Sequence, residues 1–175
     1  MPHVKSIYFT TAFALFSMGV VAGELDAFVA AQDGASSCWE RNYDNQHMAA
    51  HPDQQVTGMS LAVTFMAESD INPEQYVFRL ETDMRDGTHG EAIGPCMADG
   101  GEMWCGVECD GGGVYVSARG GDKVLVDLEK QGSIWMSTGC GDDNFEEGFS
   151  LQSGIDDKQF LLTKLLPQFC EPAKY

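Results

Sequence analysis

From Met59 onward the chain alternates apolar and polar positions with a period of two, and this sets its fold class before any other feature. Met59, Leu61, Val63 and Phe65 interleave with Gly58, Ser60, Ala62 and Thr64. That is the pattern of a strand whose successive side chains leave on opposite faces. Tyr76, Phe78 and Leu80 repeat it after Asn72-Pro73. Val114, Val116 and Ala118 face Val124, Val126 and Leu128 across Arg119-Gly120-Gly121-Asp122. The central Gly and Asp accept the positive φ that tight hairpin connections need. Shorter candidates follow the same rule at Glu91 to Met97, Glu102 to Glu108, Ile134 to Ser137, Phe149 to Gln152 and Gln159 to Leu165. Many short strands at close spacing predict a mainly β domain, an antiparallel barrel or sandwich.

One short N-terminal helix is expected beside the strands. In Cys38 to His51, Trp39, Tyr43 and His47 recur every four residues, and Pro52 ends the segment. Upstream, Lys5 precedes an apolar run from Ile7 to Ala22 that closes on small residues, Val21-Ala22-Gly23. This reads as a secretory signal peptide over residues 1–23. The run contains Thr10, Thr11 and Ser17 and falls short of the roughly 20 apolar residues of a membrane span. The expected organisation is a signal peptide at 1–23, a flexible lead-in at 24–37, and a single disulfide-bonded β domain over 38–175. The expected location is periplasmic or secreted.

The cysteines agree with export. All 6 lie beyond the leader, at Cys38, Cys96, Cys105, Cys109, Cys140 and Cys170. An even number in an exported chain predicts a disulfide framework. On a shared strand, Cys105 and Cys109 would stand about 13 Å apart, too far to pair. The pairing expected instead is Cys96 with Cys105, Cys109 with Cys140, and Cys38 with Cys170.

Charge narrows the partners. With 10 basic and 27 acidic side chains the chain carries a formal charge of −17. Nucleic acid and anionic membranes are bound through Lys and Arg, so neither is expected as a partner. A protein or small-molecule ligand, and a cationic one in particular, fits better.

Candidate sites for chemistry are few. In Cys105-Gly-Val-Glu-Cys109-Asp-Gly-Gly-Gly113 the cysteine pair lacks the second close pair of a zinc knuckle. The glycines lead into a strand pattern where a phosphate cradle would lead into a helix. They are expected to form turns. Asp142, Asn144 and Glu146 alternate as oxygen ligands of calcium often do, although Glu147 and Ser153 occupy the positions where a helix-loop-helix calcium loop needs Gly and Glu. His47 and His51 are four apart and could start a zinc site, but Met48 stands where the HExxH motif has its Glu. No other cofactor is suggested, and no GxSxG or SxxK nucleophile motif is present. The function expected is an exported acidic binding module for a protein or small ligand, with inhibition of a cationic envelope enzyme as its concrete form. The alternatives are a small secreted hydrolase or metal-dependent enzyme using His47 and His51, and an accessory subunit of an envelope complex.

Overall fold

Eight antiparallel strands close into a barrel, and a two-stranded hairpin packs beside it. The structure is a computed structural model, and it describes residues 23, 25–68, 73–136 and 147–174. The strands are β1 (Ser36–Asn42), β2 (Val56–Met66), β3 (Gln75–Met84), β4 (His89–Asp99), β5 (Glu102–Gly106), β6 (Gly113–Arg119), β7 (Lys123–Asp127), β8 (Ser133–Met136), β9 (Phe149–Gln152) and β10 (Gln159–Lys164). Each barrel strand pairs with its neighbour in sequence from β1 to β7. β10 then lies between β7 and β1, and β8 and β9 form the separate hairpin.

Eight strands leave an interior that side chains can just fill. Phe78, Phe160, Leu61, Leu80, Met103 and Leu162 fill it, each under 2% exposed. They are the inward half of the alternation read from the sequence. Burying one such side chain stabilises the fold by about 1.5–3 kcal/mol. Two glycines are dictated by close backbone approach. A Cβ on Gly94 would lie 2.0 Å from the Gly106 carbonyl oxygen, and one on Gly112 would lie 2.2 Å from that of Ser133. The turn after β5 also holds Cys109 and Asp110 at φ 56° and 63°, as the glycine-rich turn reading requires.

Both ends of the barrel are covered. At one end sits the helix α1 (Asn45–Ala50), N-capped by Asp44, whose Oδ1 accepts from the His47 amide at 2.7 Å. Arg85 holds this end together by donating to the carbonyls of Met48, His51 and Gln54. Asp157 accepts from the amides of Gln55 and Val56 at 2.7 and 3.2 Å. At the other end Gly34 and Ala35 bond to the backbone of Phe65, and Leu25, Phe28 and Val29 join the barrel's core cluster.

One expectation is corrected here. The helix covers Asn45–Ala50 alone, whereas Ser36–Asn42 is a strand paired residue for residue with β2. A spacing of four is a multiple of two as well as one helical turn, so Trp39 and Tyr43 satisfied both periods. Within the expected lead-in at 24–37, Ser36 and Ser37 belong to β1. Leu25, Phe28 and Val29 are 3–5% exposed because they shut the open end of the barrel. The expected leader lies almost wholly outside the described residues. Among the described residues no helix is long and apolar enough to cross a membrane.

Two disulfides match the expected pairs. Cys96 and Cys105 are direct cross-strand neighbours on β4 and β5, with Cα atoms 4.1 Å apart. Cys38 on β1 bonds to Cys170 beyond β10, across a sequence separation of 132. Cys109 is disulfide-bonded too, and Cys140, its expected partner, lies outside the described residues.

Candidate functional site

The chain beyond β10 does not leave the barrel. It runs back as a strap over the outer face of β1, β2 and β3. The Leu165 amide donates to the Cys38 carbonyl at 2.8 Å, a 3-10 turn forms at Pro167–Phe169, and Cys170 is locked to Cys38. Ala173 is buried against Cys38, Ala62 and Val77. Those outward positions are apolar because the strap covers them.

Next to the strap lies a groove of about 410 Å³, with Glu40, Ser60, Arg79 and Glu81 on the strands and Leu165, Phe169 and Glu171 on the strap. Strand register builds its floor. Glu40 lies opposite Ser60, Ser60 opposite Glu81, and Glu81 opposite Glu91, giving one row across four strands. Like charges placed directly opposite destabilise a sheet, so this row is held against its own electrostatics. The next row sets Arg79 opposite Ala62 and Ile93.

Arg79 leans toward the strap. Its Nη2 donates to the Glu171 carbonyl at 3.2 Å and lies 3.5 Å from the Glu171 carboxylate, while Nη1 is 4.0 Å from Glu81. Neutral donors serve the other carboxylates. Ser60 Oγ donates to Glu81 at 2.9 Å and Asn42 Nδ2 to Glu40 at 2.8 Å. On the rim, Phe169 is 68% exposed. Such a groove can receive a long side chain with an apolar stem and a positive head.

His47 and His51 are brought together at the helix end, but as a stack. The rings of Tyr43, His47 and His51 lie 4.5 and 4.4 Å apart in succession, the two imidazoles inclined by 22°. Their in-plane lone pairs therefore run side by side and do not converge at the roughly 2.0–2.1 Å a zinc–nitrogen bond needs. His47 Nε2 is 3.0 Å from Gln54 Oε1, whose amide nitrogen donates to the Val56 carbonyl, so the ring proton of His47 sits on Nε2. His51 Nδ1 is 3.8 Å from Asp156. Burial pushes the Tyr43 hydroxyl above its ordinary value, Arg41 opposing and Asp157 adding to the effect. No group of three or more His, Cys, Asp or Glu side chains gathers for a metal among the described residues. Asp142, Asn144 and Glu146 lie outside the described residues.

Neither the strap nor the carboxylate row was foreseen from the sequence. The row depends on register, which no single strand encodes. The strap had one available signal, the position of Cys170 beyond the last alternating segment. Trp39 lies inside the barrel, 3% exposed.

No family model matches the chain, and no curated protein or solved structure matches it.

Proposed function

We propose that this chain is an exported acidic binding module that recognises a protein or small ligand with its outer surface. Its concrete form is an inhibitor of a cationic envelope enzyme such as a lysozyme. The observation that carries the reading is the filled interior. With Phe78, Phe160, Leu61 and Leu80 packed below 2% exposure, the described core is filled by side chains, which favours recognition on the outside. The outside is where a net charge of −17 is displayed. Charge complementarity steers association with basic partners and selects against acidic ones. The disulfides and the apolar leader support export.

The test is lysozyme turnover at low ionic strength with the purified protein in excess, beside a pull-down from the native envelope fraction with mass-spectrometric identification of what is retained. Loss of lysozyme activity that recovers with added salt supports the inhibitor. Unchanged activity removes that form. A catalytic activity abolished by replacing His47 and His51 overturns the binding-module reading itself.

A further inference from the structure

We infer that the groove between the strap and β1–β3 is a docking surface for a basic segment of another protein. One arginine or lysine side chain enters between Glu40, Glu81 and Glu171, with its stem against Phe169. This inference rests on the acidic binding-module reading and deepens it by naming the place of contact and the chemistry received.

The first support is the apolar rim. Phe169 lines the groove and is 68% exposed, and Leu166, which lines a separate depression, is 60% exposed, yet both sit on a segment fixed at both flanks, by the Leu165 amide before them and Cys170 after. The same strap buries Ala173 to 2%, so it can hide apolar side chains and leaves these two in water. A fixed aromatic side chain loses little conformational freedom on binding, and aromatic residues are the usual anchors of interfaces.

The second support is charge complementarity inside the groove. Three carboxylates, Glu40, Glu81 and Glu171, line it with one guanidinium, Arg79. Arg79 is committed to Glu171, and its nearest approach to Glu81 is 4.0 Å. Glu40 accepts from neutral Asn42, Glu81 accepts from neutral Ser60 with Arg79 Nη1 at 4.0 Å, and Glu81 also faces Glu91 across the ladder, so one guanidinium is shared among more carboxylates than it can neutralise. An incoming cation relieves that repulsion, whereas an anion would add to it. Its aliphatic stem lies along Phe169 while its head meets the carboxylates, as long basic side chains do at apolar surfaces.

The test is an NMR titration of the isotope-labelled protein at low ionic strength with an acetylated, amidated hexapeptide of alternating Arg and Gly. A glutamate–glycine hexapeptide serves as the control. The expected result is saturable shifts at Ser60, Arg79, Glu81, Phe169 and Glu171, absent with the acidic peptide. Phe169→Ala and the pair Glu81→Gln with Glu171→Gln should each weaken binding about tenfold. Asp53→Asn, an exposed carboxylate near the helix end of the barrel, should leave the affinity unchanged. Shifts concentrated elsewhere, or equal weakening by Asp53→Asn, overturn the groove and leave the wider binding-module reading standing. Absence of binding both to the basic peptide and to a cationic protein such as lysozyme overturns the groove and counts against the wider reading as well.

Discussion

Glu81 on β3 and Glu91 on β4 face one another directly on the outside of the barrel. Two half-buried carboxylates in that register repel, and nothing about closing an eight-stranded barrel calls for them. Replacing Glu91 with Gln removes the repulsion and keeps the side-chain shape. The expected outcome is a gain in stability of about 0.2–1 kcal/mol, read as a higher urea midpoint. The gain should shrink as salt is added, because screening weakens the repulsion it removes.

Removing the strap's tether gives a second expectation. In Cys38→Ala/Cys170→Ala the denatured chain regains the freedom that a bridge spanning 132 residues withholds. Stability should fall by about 2–5 kcal/mol. The β-sheet circular dichroism should persist at low temperature, since the barrel ladders do not depend on the bridge. Limited proteolysis followed by intact mass should then show early loss of residues 165–174, which the parent protein resists.

Asp157 joins the loop before β10 to the start of β2. Its carboxylate, 3% exposed, accepts from two backbone amides, Gln55 and Val56. In Asp157→Ala both donors lose their acceptor, and a buried group left unsatisfied costs about 1–3 kcal/mol. Hydrogen exchange should locate the loss, with faster exchange at Gln55, Val56 and α1 than at β6 or β7.

Alkaline pH should weaken one corner of the outer surface. Tyr115 donates to Asp99, and that bond raises its hydroxyl above the ordinary 10.0. Lys130 donates to Glu102, which raises its ammonium above 10.5. Both folded values lie above the unfolded ones. Their contribution is therefore complete below pH 10.0 and is lost as pH climbs through the raised values. Urea midpoints measured from neutral to strongly alkaline pH should fall less steeply in Asp99→Asn/Glu102→Gln than in the parent. The difference should be small and salt-sensitive, since these groups are exposed.

What the sequence disclosed depended on how local each signal was. The strands β2, β3, β6 and β7 could be read from alternation, because facing the core and facing water are decided residue by residue. Gly112 and Asp122 announced turns, and both take positive φ. β1 was misread because Trp39, Tyr43 and His47 fit two periods at once, and only pairing with β2 resolves them. Leu25, Phe28 and Val29 did carry a hint, an apolar spacing of three and four, but it ran too briefly to outweigh the small polar residues around it. The groove was hidden for a deeper reason. Glu40, Glu81 and Glu171 are far apart in the chain, and the register of two ladders together with one disulfide decides that they meet.

The bond between Cys38 and Cys170 also changes what a broken chain can do. Everything between those two residues is a covalent macrocycle, and the exposed turn at 119–123 lies within it. A nick in that turn opens the ring once and leaves two peptide segments still joined by the Cys38–Cys170 bond, with their new ends in the adjacent strands β6 and β7. Re-pairing of those strands is then intramolecular, at the high effective concentration that a tether provides. The expected outcome of a single cut in this turn is a barrel that stays assembled.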